Sequence, residues 1–170
     1  PLFRIDEHAM LDFFQNGDFQ KPKHKWGGKK PCMALLIDDA IGSGIYTKGI
    51  KKLNSVVILH RHQGQLKEGG ALGISMFFLL QSYKAQAGGI SKCIRNNATS
   101  LIVFSNKNEK QLQEIAEECA GEVRPEVFKQ VYKTALQEKH DFLFVDLHPR
   151  PGHSMFRRSL SEFIWPLKVD

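Results

Sequence analysis

At 170 residues, 42% hydrophobic and 25% charged, the chain has the size and composition of one ordinary globular domain. Its net charge of +6 and pI near 9.3 suit an anionic partner such as nucleic acid. Cys32, Cys93 and Cys119 are odd in number and far apart, which excludes a readable disulfide framework or C-x-x-C metal site; no apolar stretch reaches the roughly 18 residues of a membrane span, and no signal-peptide pattern opens the chain, so a soluble, unexported protein in a reducing compartment is expected.

In chain order, DEHAMLDFFQ at 6–15 offers Asp6 as a cap and Met10, Phe13 and Phe14 at helical spacing, which predicts a helix. The Gly-, Pro- and Lys-rich stretch 16–31 reads as a solvated loop, and 33–37 as a strand. The segment KGIKKLNSVVILHRH fits helix or strand alike; it is taken as a helix ending near His60. GQLKEGG is a charged loop, and LGISMFFLLQ is an apolar run dense enough to predict a strand buried on both faces. SYKAQAGG reads as a loop, ISKCIRNN as a short helix and TSLIVFS as another buried strand.

The clearest helix starts at Asn108, with Gln111 completing a capping box, Leu112, Ile115, Ala116 and Cys119 as its apolar stripe and Gly121 as its stop. A second opens on Pro125, carries Val127, Phe128, Val131, Tyr132, Ala135 and Leu136 on one face, and runs to about Glu138. DFLFVDL is a fourth strand, terminal in the sheet, and the rest is a Pro-broken basic tail with a helix at 154–164. The alternation predicts an α/β domain with a mainly parallel sheet covered on both faces, a single domain with a helix and basic loop at 1–30, a core at 31–146 and a tail at 147–170.

Ligands of open parallel sheets sit at the carboxyl ends of strands, and there MALLIDD places Asp38 and Asp39. An apolar strand ending in two acids is the Walker B pattern: one carboxylate holds the hydration shell of Mg²⁺, and the other orients and deprotonates the attacking water. Asp38 takes the first role and Asp39 the second; an acid capping the turn where a strand exits to solvent produces the same string. MFFLLQSY ends on Gln81, a side chain able to hydrogen-bond the attacking water or the γ-phosphate. Arg61 and Arg95 lie in loops beside these strand ends, where a guanidinium can clamp phosphate or act as an arginine finger.

The ordered strings ALLIDD, LHRHQG, LGISMFFLLQSY, ISKCIRNNATSLIVFSNKNEKQLQEIAEE and DFLFVDLHPR…FRRSLSEFI resemble the carboxyl-terminal two-thirds of viral DNA-packaging ATPases of the FtsK/HerA type, found in poxviruses, giant viruses and virophages. The resemblance spans residues 31–165 and is most specific between Gly73 and Glu118. It implies a RecA-like P-loop core that binds ATP and Mg²⁺. It also implies assembly as a homo-oligomeric ring that drives double-stranded viral DNA into capsids through capsid or portal proteins, in the host cytoplasm, viral factory or virion, without membrane insertion. Asp38 and Asp39 match the family's Walker B acids and Gln81 its sensor glutamine, while Arg95 falls where an arginine, the candidate finger, is usual.

Nothing matches G-x-x-x-x-G-K-[ST], and WGGKK at 26–30 directly precedes the Walker B strand instead of lying a strand and a helix earlier. With Pro1 in place of Met, the expectation is a fragment that starts after the phosphate-binding loop. A nucleotide-independent DNA-binding or capsid-assembly subunit of the same fold is the alternative, and a metal-dependent nuclease using the paired acids ranks third. His60 with His62, and Asp146 with His148, lack a third metal ligand at definable spacing. Arg150, Arg157, Arg158, Phe156 and Trp165 can serve DNA phosphates or core packing alike.

Overall fold

The computed structural model describes residues 32–40, 42–64, 70–84, 90–119 and 123–166. The predicted helix at 6–15, the loop at 16–31 with WGGKK, the greater part of GQLKEGG and the Gly121 helix stop lie outside the described residues. The chain divides into two compact units, Pro1–Asn97 and Ala98–Asp170.

In the first unit, β1 (Met33–Asp38) pairs in parallel with β2 (Ile74–Leu79), Met33 opposite Ile74 and Asp38 opposite Leu79. Helix α1 (Ile50–Ile58) and a 3-10 turn at His60–His62 lie between them in sequence, and a short helix α2 (Lys92–Asn96) follows. The ambiguous apolar segment is helical because Leu53, Val56 and Val57, at i, i+3 and i+4, form one buried stripe. That stripe packs with Leu35, Ile37, Ile74, Ile90 and Ile94 into the core of the unit.

The expectation of β2 as a strand buried on both faces is not met. Parallel partners share a face, and the row Leu36–Phe77 with Leu79 is open, at 61%, 54% and 44% exposure, while Leu35 and Ile37 face the core.

In the second unit, β3 (Ser100–Phe104), α3 (Glu109–Cys119), α4 (Pro125–Ala135), β4 (Phe142–Asp146), β5 (Phe156–Arg158) and β6 (Glu162–Ile164) form a sheet in the order β3-β4-β5-β6, antiparallel throughout. The fold is therefore mixed α/β: a two-stranded parallel sheet and a four-stranded antiparallel one among the described residues, not a mainly parallel sheet. A single crossover helix returns the chain to the end where its strand began; here α3 and α4 intervene, and the second helix carries it back so that β4 runs against β3. β4 lies between β3 and β5, inside the sheet instead of at its end.

Both helices carry most of the stripes read from the sequence; the Cys119 side chain lies outside what is described, and α4 ends at Ala135, short of Leu136 and Glu138. Asn108 accepts from the N–H groups of Lys110 and Gln111 through Oδ1 at 3.1 and 3.2 Å, while the Gln111 side chain takes the Asn106 amide at 2.8 Å. Leu112, Ile115 and Ala116 of α3 are buried, as are Phe128, Val131, Tyr132 and Ala135 of α4. The Tyr132 hydroxyl donates to the Phe104 carbonyl at 3.1 Å and accepts from the Asn106 N–H at 2.8 Å, tying α4 to the end of β3.

The predicted helix at 154–164 is a hairpin instead. Ser159, with φ of 54°, turns the chain between β5 and β6; the Ser154 hydroxyl donates to the Ile164 carbonyl and accepts from the Phe156 N–H. Two of the arginines of the basic tail, Arg157 and Arg158, are engaged within the second unit. Arg157 stacks over Phe163 at 4.5 Å and Phe144 at 5.3 Å and pairs with Asp146 at 3.5 Å. Arg158 donates from Nε and Nη2 to Asp141 Oδ2 at 3.0 and 2.8 Å.

The Glu138 N–H, at 2.9 Å, and then Arg158 hold the Asp141 carboxyl below its ordinary value, against the opposing effect of burial. A depressed folded value means stability that is complete above the ordinary aspartate value near ~3.9 and lost as pH falls through the folded one. Asp141→Asn removes that contribution, so its thermal midpoint is expected to fall less steeply than the wild type's between about pH 5 and pH 2. Parallel slopes for the two proteins would contradict the assignment.

Candidate functional site

The parallel register brings three of the residues singled out in the sequence to one end of one sheet. Asp38 closes β1 opposite Leu79, the last residue of β2; the Asp39 N–H extends the ladder to the Leu79 carbonyl at 3.3 Å; Gln81 follows two residues beyond Leu79. Asp38, Asp39 and Gln81 are all exposed. By the alternation of β1, Asp38 shares the open face with Leu36.

Asp39 has φ of 44°, in the left-handed region that only glycine enters freely and that aspartate and asparagine tolerate best among the rest. The chain thus breaks from the strand at the second acid, so consecutive acids leave the backbone at an angle that a continuing strand does not allow. Non-glycine residues held there concentrate at functional sites, and the inference from such a conformation runs toward function. Gly42, at φ of 82°, makes the next turn, and Gly44 accepts from the Gly49 N–H at 2.8 Å within the coil that leads to α1.

That coil contains two buried hydroxyl oxygens without a hydrogen-bond partner, Ser43 Oγ and Tyr46 OH. Tyr46 is 3% exposed, and burial pushes its hydroxyl up to about 12. An unpaired buried hydroxyl costs free energy that phenylalanine does not, so Tyr46→Phe is expected to leave stability unchanged or raise it by about 1 kcal/mol in urea unfolding. A loss of more than about 1 kcal/mol would show that the hydroxyl makes a bond in solution.

Arg95 lies in α2 with its guanidinium engaged inside its own unit. Nη1 donates to the Ile90 carbonyl at 2.6 Å, and the group stands 5.6 Å from the centre of the Tyr83 ring. Arg61 is at the other end of the sheet. Its backbone would lie 3.8 Å from a Cβ on Gly73, the residue before β2, so it sits about 20 Å along the strand from Leu79. The sequence reading placed Arg61 beside the acids because proximity in sequence does not reveal which end of the next strand a turn meets.

His60 Nδ1 lies 2.7 Å from the Val57 carbonyl at the end of α1, a capping position. Asp146, the second strand-end acid, accepts from the His148 N–H at 3.0 Å and pairs with Arg157. Among the described residues no group of three or more His, Cys, Asp or Glu side chains comes together, and no helix is long and apolar enough to cross a membrane. Two exposed carboxylates and an amide are hard oxygen donors that fit Mg²⁺ bound through its waters; they do not make an all-protein cage.

Sequence reasoning passed over Tyr83. Its signal was available: an aromatic residue two places after Gln81, the first polar residue beyond the apolar run of β2. Comparison with protein-family models, curated proteins and solved structures finds no match to this chain.

Proposed function

We propose that this chain carries the Walker B and sensor half of a RecA-like ATPase that drives double-stranded viral DNA into capsids. The observation that carries the reading is the parallel β1–β2 pair, which sets Asp38, Asp39 and Gln81 at a shared carboxyl edge, where open parallel sheets bind ligands. The resemblance to viral packaging ATPases supplies the nucleotide, the DNA and the capsid. The ring assembly, the contact with portal proteins and the location in host cytoplasm or viral factory rest on that resemblance as well.

In this reading Asp38 would hold a magnesium ion through its waters, and the ion would supply charge neutralisation at the phosphates. Asp39 accepts a proton from the attacking water and holds its lone pair in line. Gln81 hydrogen-bonds that water or the terminal phosphate oxygen and so senses whether it is present. The phosphate-binding loop is not among these 170 residues, so the reading requires it from a preceding segment or a second chain. The open apolar row Leu36, Phe77 and Leu79 is consistent with a further layer covering this parallel pair.

The alternative, a nucleotide-independent DNA-binding or capsid-assembly subunit, draws support from the charge distribution. Residues 1–97 hold 14 of the 24 Lys+Arg but only 7 of the 18 Asp+Glu. Turnover decides between the two. The protein expressed from its complete reading frame is expected to hydrolyse ATP in the presence of Mg²⁺ and to do so faster with double-stranded DNA. DNA binding with no ATP turnover would replace the ATPase reading with the subunit.

A further inference from the structure

We propose that Arg95 is a positioning residue: together with Tyr83 and the Ile90 carbonyl it forms a clasp that ties the residues just beyond β2 to the start of α2 and holds Gln81 at the sheet edge. The clasp stands on geometry alone, while its consequence for Gln81 rests on the ATPase reading.

Tyr83 lies two residues beyond Gln81, and Ile90 lies just ahead of α2. One guanidinium meets both, through the Ile90 carbonyl at 2.6 Å and the Tyr83 ring at 5.6 Å, so it joins the described residues on the two sides of 85–89. Joining two points of a chain removes conformational freedom from the residues attached to them, Gln81 included.

One end of the clasp is fixed independently. Ile90 and Ile94 are 7% and 4% exposed in the core of the unit. The Ser91 hydroxyl caps α2 by accepting from the Ile94 N–H at 3.3 Å and donates to Asn54 Oδ1 of α1 at 2.7 Å. The Tyr83 end is therefore held against α1 through Arg95, Ile90 and Ser91.

The chemistry asks for arginine. A planar guanidinium stacks on a ring while its in-plane N–H groups donate elsewhere, whereas an ammonium is a compact point charge that offers no such plane. A finger reaching a neighbour's phosphate has to give up both contacts.

The test is amide hydrogen exchange on the full chain, read at residues 81–84 and 90–92 with the α1 amides as reference. Arg95→Ala and Tyr83→Leu are expected to accelerate exchange there by about tenfold, while α1 stays within about twofold of the wild type. Tyr83→Phe keeps the ring and is expected to match the wild type; Arg95→Lys, the variant least disturbing to folding, falls between. Wild-type exchange in Arg95→Ala or Tyr83→Leu overturns the clasp, and so does acceleration that spreads equally through α1.

In the ATP-hydrolysing protein, Gln81→Ala/Arg95→Ala is expected to be no slower than Gln81→Ala alone, because Arg95 acts through Gln81. Multiplying losses would overturn that link. A wild-type protein without ATP turnover defeats the ATPase reading and the link to Gln81, while the exchange result still decides the clasp.

Discussion

Under the proposed ATPase reading, Asp39→Asn is expected to lower ATP turnover by about 100-fold or more, the scale of a general base removed from its water. The effect is expected in kcat with KM for ATP little changed, because in the proposed role the carboxylate would act on the proton transferred in the transition state and not on the bound nucleotide. Asparagine is the informative replacement because Asp39 has φ of 44°. Asparagine enters the left-handed region nearly as readily as aspartate, and its amide retains the shape while losing the basic oxygen. Alanine there adds about 1–2 kcal/mol of backbone strain to the loss of the carboxylate, mixing a folding defect with a chemical one. Urea unfolding of Asp39→Asn is accordingly expected to match the wild type. Full turnover in this variant would remove Asp39 from the chemistry and leave it the turn-forming acid of a strand exit.

Phe128→Ala costs about 3–5 kcal/mol of stability, the range for emptying a phenylalanine site in a core. Phe128 is 0% exposed on α4 and meets Phe156 of β5 edge-on, with ring centres 6.0 Å apart and planes at 69°. Its removal opens a cavity where a helix packs on the sheet and forfeits the ring contact as well. A domain has about 5–15 kcal/mol to lose, so the denaturation midpoint is expected to fall far enough to leave a measurable unfolded fraction in dilute buffer. Leu160→Ala is the control: Leu160 is 63% exposed in the hairpin turn, and the change is expected to stay within about 0.5 kcal/mol. Equal losses in the two variants would contradict the burial assigned to Phe128.

Legibility in the sequence followed how local each signal was. The stripes Leu112/Ile115/Ala116 and Phe128/Val131/Tyr132/Ala135 were readable because each helix faces its core from a single run of residues. The place of Asp38 at the end of β1 was readable because its apolar run ends there, while Gln81 lies two residues beyond the end of β2. Strand direction is not local. Four apolar strands separated by helical patterns suggested a mainly parallel sheet, yet two consecutive helices between β3 and β4 reverse the expected direction, and that count was present in the sequence.

FRRSLSEFI spaces its apolar residues ambiguously, so the sequence alone suggests a helix where the hairpin at 154–164 forms. What selects the strands is distant: Arg158 reaching Asp141, and Arg157 lying between Phe144 and Phe163. The clasp at Arg95 was hidden for the same reason, since nothing in IRNN says that its guanidinium turns back to Ile90 and Tyr83.

The most direct measurement of the central claim substitutes Mn²⁺ for Mg²⁺ with ATP in the isotopically labelled protein expressed from its complete reading frame, and reads paramagnetic broadening of backbone amides. Broadening is expected to be strongest at residues 38–40 and 80–82 and to decline toward Met33 and Ile74, about 16 Å away along the strands. Broadening centred near Gly73 and Arg61, or none at either strand end, would contradict a nucleotide site built on Asp38, Asp39 and Gln81.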